Sequence, residues 1–206
     1  MKGFTLIELL VTISIFIFMT ALIVSRYGAF NQGTLMTNLA YDMALTIRTA
    51  QTYGVSVKGT YDPVQGASQT FTGSYGVHFD TSSSGAASSF LLFSDAVDPV
   101  TGNGNNVYNS LDGDTIIGSY TIKQGAKIVS NMCVSNNGGG NCNLNTKSYL
   151  DIAFKRPDPS AIISGDGSQT QPNPPYNYAK ITLSSADGTS FRTVVVRGNG
   201  QISVGN

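Results

Sequence analysis

The chain has 206 residues, with 12 basic and 12 acidic side chains and a formal net charge of zero. This balance excludes the global positive field that would attract nucleic acid or an anionic lipid surface. The length suits one membrane helix and one further domain.

The N-terminal segment combines a long apolar run with a single carboxylate. Glu8 is the only glutamate in the chain, and the 17 residues at 9–25 carry no charge. That length is near the lower limit for a helix that spans a bilayer, and counting back to Phe4 gives a comfortable span that encloses Glu8. Because an ionised carboxylate is costly in a bilayer, its position there indicates a functional role.

Lys2 and Gly3 precede the apolar run, which begins Phe4-Thr5-Leu6-Ile7-Glu8-Leu9. These residues resemble the N-terminus of type IV prepilins and type II secretion pseudopilins. The resemblance implies that a prepilin peptidase cleaves the bond between Gly3 and Phe4 and then N-methylates Phe4. It also implies that Glu8 pairs with the N-terminal amine of a neighbouring subunit during assembly.

The same resemblance implies a location and a set of partners. The protein would cross the inner membrane once, with Lys2 on the cytoplasmic side, as the bias of basic residues toward that side favours. Its globular domain would lie outside the cytoplasm, and after assembly it would belong to an extracytoplasmic filament. The implied partners are the prepilin peptidase, other pilin or pseudopilin subunits, the inner-membrane assembly platform and, before assembly, the membrane itself.

Two simpler explanations of the apolar run fit the sequence less well. A secretory signal has a shorter apolar core and a small-residue cleavage site of the A-x-A type, whereas this run is longer and no clear site of that type follows it. An uncleaved membrane anchor explains the length of the run. It explains neither the carboxylate of Glu8 nor the Gly3-Phe4 junction.

Residues 26–54 predict an amphipathic continuation of the helix. Apolar residues recur there at every fourth position, which is typical of a helix with one buried face. Gly54 offers a C-cap at the predicted end. We expect the apolar face to cover a sheet. Its residues are Leu35, Leu39, Met43 and Ile47, widened by Met36, Ala40 and Ala50.

From residue 55 onward the pattern changes to short alternating runs bounded by turn residues, which is typical of antiparallel sheet. Asn199-Gly200 is a two-residue hairpin signal, and Asp187-Gly188 lies in the preceding connection, so the last three strands predict a meander. The predicted strands are 55–57, 74–80, 89–94, 115–122, 127–130, 149–155, 179–184, 190–197 and 201–204.

These patterns predict an α+β protein in which a long N-terminal helix, transmembrane in its first half and amphipathic in its second, packs on an antiparallel β-sheet domain. The predicted segments are a leader peptide at 1–3, a transmembrane and filament-core helix at 4–25, an amphipathic helix continuation at 26–54 and a β-rich globular pilin domain at 55–206. Short matches in the soluble part resemble the H-type pseudopilins and the T-type minor fimbrial pilins. They are Leu45-Thr46-Ile47-Arg48-Thr49-Ala50-Gln51, Tyr75-Gly76-Val77-His78-Phe79 and the Gly-centred turn before the last strand.

The two cysteines, Cys133 and Cys142, are predicted to form a disulfide. An anchor that exports the rest of the chain places both thiols in an oxidising compartment. They flank eight residues rich in Asn and Gly, and an unstrained bridge across such a loop stabilises a fold by about 2–3 kcal/mol. A zinc site is not expected, because the chain has one histidine, His78, and no second pair of thiols.

The sequence contains no catalytic motif: no G-x-S-x-G, no phosphate-binding loop and no zinc signature. His78 falls in a predicted strand, and we expect it to face solvent rather than to act as a ligand or a base. We therefore expect no enzymatic activity, no cofactor and no bound metal.

The segment 95–114, from Asp95 to Asp114, is rich in Asp, Asn and Gly and could offer oxygen ligands to calcium, which takes about six to eight of them. Its spacing does not match the EF-hand pattern, and it contains no glutamate. Some type II pseudopilins carry a calcium site in a comparable loop. We favour a solvated turn region, because these residues are the common ones in turns.

The alternative function is that of a minor tip pilin that binds DNA or a secreted substrate. Some T-type minor pilins bind DNA through a basic C-terminal segment. Here that segment has Arg197, with Arg192 upstream, and no basic residue after Gly200. Because phosphate neutralisation provides most non-specific affinity for DNA, two arginines predict little binding, and nucleic acid is not an expected partner.

Overall fold

The computed structural model describes residues 3–56, 59–61, 69–70, 73–82, 85–96, 104–130, 132–136, 146–165 and 176–205. The chain divides into two compact units, Met1–Leu35 and Met36–Asn206. Each unit is described by itself below.

The first unit is dominated by the beginning of helix α1, which is assigned from Leu6 to Val55. The stretch Leu6–Val24 has a mean hydropathy of 2.5, and none of it is buried within the chain. These 19 residues are long and apolar enough to cross a membrane. This part of the prediction, an N-terminal apolar helix consistent with a single-pass anchor, is confirmed.

In the second unit, one face of α1 is buried as the periodicity predicted. Met36, Ala40, Met43, Ile47 and Ala50 are each fully buried. Their spacing of three and four residues places them on one side of the helix. Three details differ from the prediction: Leu35 and Leu39 are only partly buried, and the polar Thr46 is buried.

The end of α1 corrects one strand prediction. The helix continues through Gly54 to Val55, and Ser56 follows it in a turn, so the predicted strand at 55–57 is wrong at both of its described residues. Ser56 donates its backbone N–H to the Thr52 carbonyl at 2.9 Å, which extends the helical pattern by one more bond. Val57 lies outside the described residues.

The rest of the second unit is built from short strands and one short 3₁₀ turn, Ala86–Ser88. The predicted strands at 89–94 and 149–155 are confirmed to the residue, and the other predicted strands from 74–80 onward are confirmed within two residues at each end. The strands at 132–135 and 158–165 and the two-residue strands at 60–61, 69–70 and 146–147 were not predicted. The strands are β1 (Thr60–Tyr61), β2 (Gln69–Thr70), β3 (Tyr75–Asp80), β4 (Ser89–Ser94), β5 (Thr115–Thr121), β6 (Lys127–Ile128), β7 (Met132–Ser135), β8 (Thr146–Lys147), β9 (Tyr149–Lys155), β10 (Asp158–Gly165), β11 (Tyr178–Ser184), β12 (Phe191–Arg197) and β13 (Ile202–Gly205).

The larger strands form two antiparallel sheets. The first has the order β10-β9-β3-β4-β5, and the second has the order β13-β12-β11-β7-β8, with β6 also paired to β11. The predicted meander of the last three strands is confirmed. Its final turn has three residues rather than two, because Arg197 donates its N–H to the Gln201 carbonyl at 2.9 Å and Gly200 adopts a φ of 83°.

A single hydrophobic cluster contains residues from both sheets and from the buried face of α1. Within the described residues, the second unit therefore has a core of its own, which is the physical basis of an independent domain. The α+β class with antiparallel sheets is confirmed. Representative members of the cluster are Met43 and Ile47 from α1, Phe79, Leu92 and Phe154 from the first sheet, and Ile181, Val194 and Val196 from the second.

Candidate functional site

At the start of α1, the only glutamate of the chain lies in a reciprocal contact with Thr5. The Thr5 backbone N–H donates to Glu8 Oε2 at 2.9 Å, and the Thr5 hydroxyl donates to the same oxygen at 2.7 Å. In return, the Glu8 N–H donates to Thr5 Oγ1 at 3.4 Å. This is a capping box, which satisfies backbone donors that the first turn of a helix leaves without intrahelical acceptors.

The capping box gives Glu8 a local role that the sequence interpretation did not include. A carboxylate in the first turn also lies where the positive end of the helix dipole stabilises negative charge. The signal was present in the sequence, since Thr5 and Glu8 have the T-x-x-E spacing of a capping box. Any pairing of Glu8 with a second chain must therefore add to this contact or replace it.

The predicted cleavage site precedes the helix in exposed chain. Gly3 and Phe4 are non-helical and exposed, and Phe4 retains 83% of its accessible surface. A Cβ placed on Gly3 would meet no atom within 4 Å. The bond between these residues is thus accessible from solvent, while its cleavage and the methylation of Phe4 stay predictions.

The predicted disulfide falls only partly within the described residues. Cys133 lies in β7, is 5% exposed and is not a free thiol. Its predicted partner, Cys142, lies outside the described residues. The bridge between the two stays a prediction.

A second group of polar residues lies at the first sheet, where three aspartates accept backbone hydrogen bonds from the loop at residues 104–114. Asp95 follows β4, Asp114 precedes β5 and Asp151 lies within β9. We call these three the carboxylate cluster, and residues 104–114 the 104–114 loop. Asp95 and Asp151 are buried, at 1% and 0% exposed, and Asp114 is half-buried.

Asp95 binds both the loop and the start of the neighbouring strand. Its Oδ2 accepts the Asn106 N–H at 2.9 Å and the Ser74 hydroxyl at 2.9 Å. Asn106 has a φ of 61°, a left-handed conformation in which Asn is enriched among non-glycine residues. A Cβ at Gly104 would overlap the Asp95 carboxylate, so this close approach requires a glycine.

The other two carboxylates fasten the remainder of the loop. Asp114 accepts the N–H groups of Ala96 and Asn109, each at 2.7 Å. Asp151 Oδ1 accepts the Tyr108 N–H at 3.1 Å. The prediction of a solvated turn region holds for residues 110–112, which form an exposed turn, and is wrong for Asp95, Asn106 and Val107, which are buried. Residues 97–103 lie outside the described residues.

The environment of the carboxylate cluster raises the pKa of two of its carboxyl groups, those of Asp95 and Asp114. Burial raises the pKa of Asp95 to about 7, although the Asn106 N–H lowers it; nearby Asp114 raises it further. Burial likewise raises the pKa of Asp114 to about 6, against the two N–H groups that it accepts, and Asp112 and Asp151 add to the increase. Both groups therefore change charge near neutral pH.

His78 is more buried than the sequence predicted. Its side chain is 12% exposed, and its Nδ1 lies 2.8 Å from Asp151 Oδ1. Because that oxygen is an acceptor, we assign the proton to Nδ1. The ring lies between Tyr108 and Tyr149, with centroid distances of 5.0 and 6.3 Å. Local strand alternation could not reveal this contact, because Asp151 is 73 residues away from His78 in the chain.

Among the residues that the structure describes, no group of three or more His, Cys, Asp or Glu side chains could hold a metal ion. Asp151 Oδ2 and Asn106 Oδ1 are buried and have no hydrogen-bond partner within that part of the chain. The hydrogen bonds of the cluster support a structural role, in which the carboxylates hold the 104–114 loop against the first sheet.

The two arginines considered for DNA binding both contact their own chain. Arg192 donates from Nε to Thr37 Oγ1 at 3.2 Å and from Nη1 to the Phe191 carbonyl at 2.8 Å. The Arg197 guanidinium lies 5.9 Å from the ring centroid of Tyr178. These contacts reduce what either side chain can offer to a phosphate.

Comparisons with protein-family models, with curated proteins and with solved structures found no match for this chain.

Proposed function

We propose that this chain is a pilin-like structural subunit of a type IV pilus or a type II secretion pseudopilus. A prepilin peptidase processes it between Gly3 and Phe4, and it assembles through its N-terminal helix. One observation carries this proposal: an exposed Gly-Phe junction leads into a fully exposed apolar helix whose first turn holds the only glutamate of the chain.

The exposed apolar surface of this helix must be shielded from water both before and after the proposed assembly. Before assembly the lipid bilayer covers Leu6–Val24. Lys2 stays on the cytoplasmic side and the β-sheet domain lies outside the cytoplasm, in line with the positive-inside rule. After assembly, the equivalent helices of neighbouring subunits replace the lipid.

Glu8 has a specific task in this account. In the desolvated centre of a filament a lone carboxylate is unfavourable, and an opposite charge offsets much of that cost. The N-terminal amine of a neighbouring subunit supplies the charge. The partner of Glu8 within its own chain, Thr5, is neutral, so the capping box supplies no opposite formal charge.

The β-sheet domain provides the contacts that distinguish one subunit from another. We propose that α1 from Met36 onward packs on the two sheets and forms part of the domain. The hydrophobic cluster, which contains residues of α1 and of both sheets, supports this packing. The account assigns the protein no enzymatic activity. A tip module that binds DNA is not favoured, because Arg192 and Arg197 contact their own chain.

Substitutions at Glu8 test the proposal, because two variants separate helix capping from charge pairing. Glu8→Gln removes the charge but retains a side chain that suits the third position of a capping box. Glu8→Leu removes both properties. We expect both variants to insert into the membrane and both to lose incorporation into filaments, measured as subunit in sheared filaments at matched membrane levels.

A matched control is Asp158→Asn, which changes an exposed carboxylate in β10 that binds its own neighbour Ser160. It should assemble like the unmodified protein. Normal incorporation of Glu8→Gln would mean that the charge has no pairing role. The number of filaments is counted as well, because loss of a tip subunit reduces initiation more than length.

A further inference from the structure

We propose that β5 of one copy of this chain adds, as an extra strand, to the open edge of β13 in a second copy. The pairing segment is 118–121, and it enters a groove between β13 and α1, which we call the β13 groove. The inference rests on the proposed filament function, because it names a contact between neighbouring subunits, but its test needs no filament.

The end strands of the two large sheets differ in how they are protected against pairing with another chain. β10 and β5 end the first sheet, and β13 and β8 end the second. Edge strands are commonly blocked by a charge or a proline. β10 carries Asp158 and Pro159, and β8 carries Lys147, whereas β5 and β13 contain no charged residue and no proline. Two edges are therefore blocked by their sequence, and two are left open to pairing.

β13 presents backbone groups along its outer side. Among the described strands it pairs with β12 alone. Arg197 and Gln201 form a hydrogen-bonded pair, so in the alternating antiparallel pattern the backbone groups of Ile202 and Val204 point away from β12. These two residues line a groove of about 420 Å³ beside α1. A strand added there would satisfy their backbone groups with hydrogen bonds.

The α1 wall of the β13 groove is apolar and exposed. Tyr41 and Leu45 lie one helical turn apart on this wall, and both are more than half exposed. Asp42 and Arg48 also line the groove, one acid and one base, so its lining has no net charge. A strand without charges suits this surface, because no unpaired charge is buried when it binds.

β5 has the matching chemistry. Its residues are exposed or half-buried along the whole strand, so both of its faces are accessible. Its exposed apolar side chains are Ile116, Ile117 and Tyr120. The pairing with β4 skips Ile117, which forms a bulge. The regular segment beyond the bulge, 118–121, is as long as β13.

The two surfaces together approach the size of a specific interface. The exposed parts of five apolar side chains amount to roughly 500 Å². Because a typical interface is a little more than half apolar, the whole contact buries on the order of 900–1,000 Å², close to the roughly 1,000 Å² that marks a specific interface. The five are Tyr41, Leu45, Ile116, Ile117 and Tyr120.

The shapes of the two surfaces make the contact head-to-tail. One is a groove and the other is a strand that is accessible on both faces, so each fits the other better than it fits a second copy of itself. Every copy then uses β5 toward one neighbour and the β13 groove toward another. Such a heterologous contact extends into a series of subunits instead of closing as a twofold dimer.

Photocrosslinking of the full chain in uncharged detergent micelles tests this contact. Benzoylphenylalanine replaces Leu45 in one copy, and the other copy carries an isotope label, which distinguishes bonds between copies from bonds within one. Micelles are kept in excess over chains, so that shared micelles do not bring two anchors together. We expect mass spectrometry to find the probe joined to a labelled peptide that contains residues 115–121. If the variant at Leu45 does not fold, Tyr41 on the same wall takes the probe.

Two pairs of variants assign the crosslink to the two surfaces, with the probe at Tyr41. Leu45→Lys is compared with Val55→Lys, which changes an exposed apolar residue of α1 outside the groove. Ile116→Lys in the labelled copy is compared with Phe191→Lys, because these two side chains are 49% and 47% exposed. The first variant of each pair should reduce the crosslink by roughly tenfold or more, since it buries an unpaired charge. The second should leave it unchanged, and circular dichroism checks that each variant is folded.

Three results would overturn the contact. The first is the absence of any crosslink between copies. The second is a crosslink to residues 41–48 or 202–205 of the labelled copy, which would show that the groove pairs with itself. The third is a crosslink that Leu45→Lys and Ile116→Lys leave at full strength. None of these results bears on cleavage before Phe4 or on the pairing of Glu8, so failure of this contact is distinguishable from failure of the proposed function.

Discussion

Thr5 and Glu8 are bonded to each other in both directions at the start of α1. The Thr5 N–H reaches the Glu8 carboxylate at 2.9 Å, and the Glu8 N–H reaches the Thr5 hydroxyl oxygen at 3.4 Å. The carboxylate that the sequence singled out for assembly therefore also begins the helix. Glu8→Leu removes both helix capping and the negative charge, so it cannot separate the two roles. Glu8→Gln can, because it removes the charge and retains a side chain that can cap the helix.

Thr5→Ala should loosen the first turn of α1 without changing the charge of Glu8. Loss of an N-cap side chain costs about 0.5–2 kcal/mol. Hydrogen exchange of the Glu8 and Leu9 amides, which donate to the Thr5 hydroxyl oxygen and carbonyl, should then accelerate by roughly three- to thirtyfold, measured by NMR in uncharged micelles. Thr12→Ala is the control, because the Thr12 hydroxyl bonds only the Leu9 carbonyl in mid-helix. Equal exchange rates in Thr5→Ala and in the unmodified protein would show that the Thr5 side chain does not stabilise the start of the helix.

Gly54→Ala should destabilise the β-sheet domain. A Cβ at Gly54 would overlap the carbonyl oxygen of Phe154 and lie 2.7 Å from its carbonyl carbon. Overpacking of this kind costs about 1–3 kcal/mol, which lowers Tm by roughly 2–12 °C for a chain of this size. Thermal unfolding followed by circular dichroism measures the change.

Gly33→Ala is the matched control, because it is also a helical glycine but a Cβ there meets no atom within 4 Å. Alanine in a helix is favoured over glycine by about 1 kcal/mol. Its Tm should be unchanged or slightly higher. A Tm for Gly54→Ala as high as that of Gly33→Ala would contradict the close approach of α1 to Phe154.

The predicted bridge between Cys133 and Cys142 gives a third test. Replacement of both by Ser should remove about 2–3 kcal/mol of stability and lower Tm by roughly 4–12 °C. A reducing agent should lower the Tm of the unmodified protein by a similar amount and leave the double variant unaffected. Quantitative reaction of both thiols in the folded, natively exported protein would rule out the bridge.

The strands that the sequence predicted best are those with continuous runs between clear turns. Residues 89–94 and 149–155 match β4 and β9 to the residue. By contrast, β10 was not predicted because Pro157 and Pro159 surround its start and a register shift separates Asp158 from Ala161. Prolines indicate a loop by local criteria, whereas pairing with β9 decides the structure here.

The two candidate sites differ in how far the sequence could reveal them. Glu8 was identified because it is the only glutamate and lies in an apolar run. Of the carboxylate cluster, the sequence singled out only the segment that contains Asp95 and Asp114, and it missed Asp151 because that residue lies in a separate strand, β9. His78 and Asp151 are directly opposite in the β3–β9 register, which no local pattern indicates. Contacts that depend on strand pairing are visible only in the fold.

The intact mass of the protein purified from membranes of a host with an active prepilin peptidase tests the central claim most directly. The account predicts a chain that begins at Phe4 and carries one N-methyl group, and it predicts that Gly3→Leu keeps its leader, because a bulky residue there should block cleavage. Fragmentation of the N-terminal peptide would locate the methyl group on Phe4. Retention of Met1, Lys2 and Gly3 on the unmodified protein in that host would contradict the assignment of this chain as a processed pilin subunit.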